Sequence, residues 1–230
     1  AGAIDPSKIE VHGNNKSLGE IEKAVSIGVE SIVIDSLYEI DRVAAAASKS
    51  GKVQRVLLRI TPGIQAHTHE SIATAHEDVK FGFSIASGAA WQAIVETKKH
   101  ASLDLRGLHS HIGSQILETE PFGIAADRLI ELLAKFNSEF GQQLPELDLG
   151  GGYGIAYLDI ESEIQASDVL GTLAKVVKES CSKRSLNVPK ISIEPGRTIV
   201  GPSMFTLYTV GTTKVVTLED GSTRNYVSVD

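Results

Sequence analysis

What most constrains this chain of 230 residues is a rhythm of apolar runs and helical segments. "KIEVHG", "SIVIDS", "VQRVLLRI", "LDLRGLHSHIG", "PELDLGGG" and "PKISIEPG" read as strands. Between them lie "SLGEIEKAVSIGV", "YEIDRVAAAASKSG", "GAAWQAIVETKKHA", "PFGIAADRLIELLAKFNSEFG" and "SDVLGTLAKVVKESCSKR", with helical spacing. Ser167 or Asp168 is placed to cap the last of these. Strand–helix alternation predicts a parallel sheet with right-handed crossovers. Strands that are nearly continuous Val, Ile and Leu predict cover on both faces. Two architectures meet these conditions, an open doubly wound sheet and a closed (β/α)8 barrel. Beyond Gly201 the rhythm stops. "SMFTLYTVGTTKVVTLEDGSTRNYVSV" is rich in Thr, Val and Tyr and holds a "DG" turn, so it reads as the start of an antiparallel β domain. The expected division is residues 1–200 and 201–230.

The residues that break strand rules fall at one end of every unit. Asn14 and Asn15 follow the first strand, Asp35 and Ser36 the second, and Arg59 lies near the end of the third. His109 and His111, then Gly113, Ser114 and Gln115, close the fourth. Gly150, Gly151 and Gly152 end the fifth, and Glu194, Pro195, Gly196 and Arg197 the sixth. In a barrel, C-terminal strand ends meet on one face, where active sites of that fold are built. In an open sheet only the loops at the switch point would meet, leaving most of these polar ends unexplained. The barrel is therefore expected.

Three consecutive glycines are costly in backbone entropy. Either they make a tight turn or something approaches the backbone closely. Barrels often hold a phosphate on the loops after their last two strands, where a Cβ would block the amide groups. "GGGYG" and "EPGR" occupy two successive strand ends, which favours the phosphate reading over a plain turn. Glu194 ends a buried strand and needs a cationic or protonated partner. A neighbouring Arg or Lys would serve. So would a protonated ring nitrogen, which the carboxylate would keep protonated and electron-withdrawing. His109 and His111 share one face of their strand. A metal pair is one reading, though no further ligands have convincing spacing, and stacking of His111 on a flat ring is another. The loop cluster of His67, His69 and His76 reads as solvated. No metal is assigned.

The net charge of −7, with no basic run, argues against nucleic acid as a partner. No apolar stretch reaches the ~20 residues of a membrane span. A single cysteine, Cys181, removes any internal disulfide framework, so a reducing, cytoplasmic setting is expected. The chain begins at Ala1 and ends inside an extended run, so it is expected to be an internal fragment.

"VHGNNKS", "GLHSHIGSQ", "LDLGGGYGI" and "EPGRTIVGPS", in that order, resemble the family of ornithine, diaminopimelate and arginine decarboxylases that use pyridoxal 5'-phosphate. The likeness spans nearly the whole chain, and "HGNNKS" is similar to the diaminopimelate branch. It implies an alanine-racemase-like (β/α)8 TIM barrel whose first two strands precede this chain. It implies decarboxylation of meso-2,6-diaminopimelate to L-lysine, in a homodimer with shared sites. His111 would stack on the cofactor ring, and Glu194 would pair with its nitrogen. Ser114, Gly150, Gly151, Gly152 and Gly196, with Pro195 beside them, would hold the phosphate. Arg197 would bind the substrate carboxylate, Arg59 and Asp35 would stand behind the cofactor, and His109 would support His111. The Schiff-base lysine of the family would lie upstream and its cysteine segment downstream, leaving this chain inactive alone. An ornithine- or arginine-type decarboxylase, a related racemase, and a regulator without cofactor are the alternatives.

Overall fold

The computed structural model describes residues 4–64, 80–157 and 166–230. It divides into two units, Ala1–Thr198 and Ile199–Asp230. The first holds seven parallel strands: β1 (Glu10–Val11), β2 (Ser31–Ile34), β3 (Gln54–Thr61), β4 (Phe83–Ser84), β5 (Leu103–His109), β6 (Glu146–Gly151) and β7 (Lys190–Glu194). They pair in the order β1-β2-β3-β5-β6-β7, with β4 added on β3. Each strand along this path sits beside its predecessor, so the sheet has no switch point. A doubly wound sheet needs one. The sheet belongs to a (β/α)8 barrel of the alanine-racemase type.

The helices are α1 (Leu18–Ile27), α2 (Leu37–Lys49), α3 (Ala89–Lys98), α4 (Glu120–Phe140), α5 (Ala166–Lys183) and the short α6 (Gly196–Val200). Local chemistry sets their ends. Ser17 and Glu20 form a reciprocal capping box at the start of α1, and Gly28 closes it in the left-handed region at φ 74°. Gly141 ends α4 in the same way. Helix α5 begins at Ala166, so Ser167 and Asp168 lie in its first turn and not at its cap. Strands β2 and β6 are buried along their whole length. Ile32, Leu58, Leu108 and Leu147 from the sheet pack with Ile40, Ile94, Leu129 and Phe136 from the helices. Strand β4 and helix α6 were not legible in the sequence. The first is two residues long within a polar loop, and the second is a single turn after "EPG".

The second unit is a hairpin of β8 (Val210–Thr217) and β9 (Thr223–Val229), antiparallel, turning at Asp220 and Gly221. Gly221 has φ 82°, which glycine adopts without strain. Nearly every residue of both strands is exposed.

Candidate active site

All the C-terminal strand ends of the first unit lie on one side of its sheet, and there its titratable groups gather. Glu194, the last residue of β7, is the hub. Its Oε1 lies 3.1 Å from Nε2 of His12, just past β1, and 3.5 Å from Nε2 of His109, the last residue of β5. The two imidazoles meet edge to face with centroids 5.0 Å apart. Glu10 lies 3.6 Å from His12, and Asp148 of β6 joins the same group of carboxylates. His109 is 1% exposed, and beyond its 3.5 Å approach to Glu194 neither of its ring nitrogens has a hydrogen-bond partner among the described residues.

These neighbours set the protonation states. Burial alone would raise the Glu194 carboxyl, but His109, His12 and His111 hold it down at about 2. Burial would lower His12, yet the Glu10, Glu194 and Asp148 carboxylates raise it above its ordinary value. Burial, then the charges of Arg59 and His109, push His111 down to about 4, so its ring is neutral near pH 7. Asp148 is pushed up by burial and by the negative charge of Glu194. The site therefore sets an ionised carboxylate beside a neutral, half-buried imidazole. Nδ1 of His111 accepts from the Gly151 amide at 3.3 Å. His109 turns toward His12 and Glu194.

The glycine run has a physical reason in the neighbouring backbone. A Cβ on Gly150 would stand 2.3 Å from the Ser110 carbonyl oxygen, one on Gly151 2.1 Å from that of Glu194, and one on Gly152 2.0 Å from that of Gly113. Gly150 and Gly152 also have φ of 66° and 100°. Three strand ends are thus drawn closer than any side chain permits. Gly196 differs: nothing lies within 4 Å of its Cβ position, so the start of α6 is open. Ser114 is half-buried on the loop after β5, and Pro195 is half-buried ahead of α6.

Gln115 ties these loops together. Its Nε2 donates to the Ile155 carbonyl at 2.5 Å, and its Oε1 accepts from the Ile155 amide at 3.3 Å and from Arg197 Nη1 at 3.1 Å. It holds φ 58°, uncommon for a residue with a side chain. Arg59 reaches Asp35 at 3.5 Å and lies over the Phe81 ring at 4.4 Å. Asp35 also accepts from the Gly82 amide at 2.9 Å. Lys16 is buried, and its Nζ donates to the Gly13 and Val33 carbonyls at 2.6 and 2.7 Å and pairs with Glu39 at 2.9 Å. With three partners for three N–H groups, it is not free to hold a ligand covalently. His67, His69 and His76 lie outside the described residues.

Sequence reasoning passed over His12, Asp148 and the linking role of Gln115. His12 obeys the same rule that exposed the others, a polar side chain directly after a strand, but β1 is only two half-buried residues long, so its signal is weak. Asp148 sits inside an apolar run, and its proximity to Glu194 depends on β6 pairing with β7.

The residues present fit a phosphorylated pyridine ring. Glu194 is ionised and one-third exposed at 34%, His111 is flat and neutral, and the open backbone of Gly196 lies two residues beyond Glu194 along the chain. Residues 1–201 match the model of the family of pyridoxal-dependent decarboxylases, in its pyridoxal binding domain. The chain is 45% identical over 223 residues to the diaminopimelate decarboxylase of Corynebacterium efficiens, covering 97% of this chain and 49% of that protein. It is 48% identical over 232 residues to that of Mycobacterium tuberculosis H37Rv, covering 99% and 52%. Among solved structures, diaminopimelate decarboxylase from Helicobacter pylori, complexed with L-lysine, superposes with a TM-score of 0.81 at 30% identity over 99% of this chain and 53% of that one. The chain spans about half the length of the curated relatives it matches.

Proposed function

Because the chain belongs to the family of pyridoxal-dependent decarboxylases, we propose that it supplies the cofactor-holding face of an enzyme that converts meso-2,6-diaminopimelate to L-lysine. The observation that carries this reading is Glu194 at the end of β7, its Oε1 3.1 and 3.5 Å from the His12 and His109 imidazoles, which with His111 hold its carboxyl down. Bound pyridoxal 5'-phosphate would act as an electron sink for the bond between Cα and the carboxylate. The chain's own part is to bind and orient. Glu194 would accept from the ring N–H and keep that nitrogen protonated. His111 would support the ring as a neutral imidazole. Ser114 and the amides of Gly152 and Gly196 would receive the phosphate, with Pro195 fixing the entry to α6; the amides of Gly150 and Gly151 are taken by Asp148 and His111, so these two glycines serve by letting the strand ends close up. Arg197, held by Gln115, presents its guanidinium to a substrate carboxylate. Arg59 and Asp35 set the charge behind His111.

The covalent lysine and the rest of the substrate pocket belong to the parts of the protein beyond this chain, which acts in a homodimer in the cytoplasm. The hairpin of β8 and β9 is the start of the β domain. Identity near one half to diaminopimelate decarboxylases, and "HGNNKS" after β1, favour this substrate over ornithine or arginine. No helix among the described residues is long and apolar enough to cross a membrane. The full-length protein, given cofactor and each of the three amino acids in turn, should release carbon dioxide and lysine from diaminopimelate. Release from ornithine or arginine alone would refute the assignment.

A further inference from the structure

The hub at Glu194 gathers more ligand atoms than a single ring nitrogen uses. One atom each from His12, His109 and Glu194 lies within 4.8 Å of the other two. The His12 and His109 nitrogens stand 3.1 and 3.5 Å from the same carboxylate oxygen. Ligands of a tetrahedral zinc ion at about 2.0–2.1 Å are roughly 3.3–3.4 Å apart, so the observed separations straddle that spacing. His109 supplies the second, independent sign. It is 1% exposed and aimed into the cluster, its Nε2 only reaching Glu194 Oε1 at 3.5 Å, and beyond that long contact neither nitrogen has a hydrogen-bond partner among the described residues. Such a buried polar group calls for an explanation. Electrostatics points the same way, since Glu10, Asp148 and Glu194 also offer oxygens within 4.8 Å of one another. Three carboxylates this close favour a cation among them. His12 and Glu194 each keep 34% of their side chains exposed, which leaves an entry path and room for a water ligand.

We propose that His12, His109 and Glu194 form a zinc-type divalent-cation site in the cofactor-free protein, with water in the fourth position and Glu10 and Asp148 as outer negative charge. Two imidazoles, one carboxylate and an open position suit zinc. An all-oxygen set would suit magnesium or calcium. The ion and the cofactor ring need the same carboxylate, so each excludes the other. That exclusion rests on the pyridoxal reading, whereas the metal site does not.

The test uses the full-length protein, untagged and stripped of cofactor. Zinc is titrated calorimetrically, and cobalt(II) reports coordination through its visible absorption. One equivalent should bind, and cobalt should show the intense bands of a four-coordinate site. His12→Gln should weaken zinc by ~100-fold or more, since even partners outside the ligand shell cost 10–100-fold. His12 is half-exposed, so this variant should fold, and circular dichroism verifies it. His109→Gln should act in the same direction. His100→Gln, which alters the separate group of Asp41, Glu96 and His100, should change nothing. The site is refuted if the folded cofactor-free protein binds no zinc, or if binding survives His12→Gln and is lost in His100→Gln. Saturating pyridoxal 5'-phosphate should expel the metal one for one. Simultaneous binding of both would leave the metal site standing and overturn Glu194 as partner of the ring nitrogen.

Discussion

Both ends of the same parallel sheet carry a glutamate on a strand, Glu146 buried and Glu194 one-third exposed, and the two are treated in opposite ways. At the N-terminal end, Glu146 of β6 accepts from Arg55 at 2.6 Å and from Arg106 at 3.3 Å, and Arg55 also reaches Glu30 at 3.5 Å. Guanidinium groups, which stay charged, answer the carboxylates there. At the C-terminal end, the ion-pair partners of Glu194 among the described residues are imidazoles, whose charge depends on pH, and His109 reaches it only at 3.5 Å. Asp148, 2% exposed, is partnered by the Gly150 amide at 2.7 Å. The difference teaches how to tell a structural charge cluster from a working one. The first is closed by groups that cannot change state. The second holds groups poised to accept a proton, a ring or an ion, and its cost is met by the packing beneath it.

The largest effect should come from the glycines that draw the working end together. Gly152→Ala would set a methyl group 2.0 Å from the Gly113 carbonyl oxygen at φ 100°. The loops after β5 and β6 would have to part, and a loss above ~4 kcal/mol is expected. Gly196→Ala, with open space around it, should cost less than ~1 kcal/mol. Urea melts of the full-length protein check both. Equal losses would mean that close backbone approach does not explain the glycine run.

Glu146→Ala should come next. It strands Arg55 and Arg106, but Arg55 is 38% exposed and partly solvated, so about 2 kcal/mol of stability should go and not the 3–5 of a fully buried pair. Turnover per folded molecule should stay as it was. A fall in turnover without a fall in stability would erase the contrast between the two ends.

Glu194→Gln should reverse that pattern. Shape is kept and charge is lost, so turnover should drop about ten- to a hundredfold, the value of a charge-assisted hydrogen bond of roughly 1.5–3 kcal/mol. Stability should change less than in Glu146→Ala. Unchanged turnover at saturating cofactor would remove Glu194 from its proposed role.

The sequence revealed the barrel because its evidence is local and repeated. Each strand of Val, Ile and Leu is followed by a polar break, and every such break lies at the same end. It also showed Glu194 and His111 as candidates, since a charged or polar residue closing an apolar strand is visible without coordinates, although β7 proves half-buried and not buried as its apolar residues suggested. Hidden were the features that depend on which strands are neighbours. Gly150, Gly151 and Gly152 read as space for a ligand, whereas the atoms that demand them are carbonyl oxygens about 40 residues away in sequence. His12 joins Glu194 across 182 positions, and no spacing rule reaches that far. Gln115 was seen only as a motif letter, and its bonds to Ile155 and Arg197 appear once three loops are folded together.

The smallest effect concerns protons and gives the finest test of the contrast. His12 is raised above 6.5, so what it contributes to stability is present below pH 6.5 and fades as pH rises through its folded value. His111 is lowered from 6.5 to about 4, so its contribution is present above pH 6.5 and is lost as pH falls toward 4. Glu194 is lowered from 4.5 to about 2 and acts in the same sense as His111, over a more acidic window. Two imidazoles of one site should therefore titrate on opposite sides of the ordinary value, which nuclear magnetic resonance of the ring protons resolves. In Glu194→Gln both midpoints should move down, because the negative charge that favours each imidazolium is gone. In Glu146→Ala, at the other end of the sheet, neither should move. His111 titrating near 6.5 in the parent protein would show that its ring is neither desolvated nor opposed by Arg59. The ring would then carry a proton in part of the molecules near pH 7, and burial would no longer be what keeps it neutral beside the cofactor.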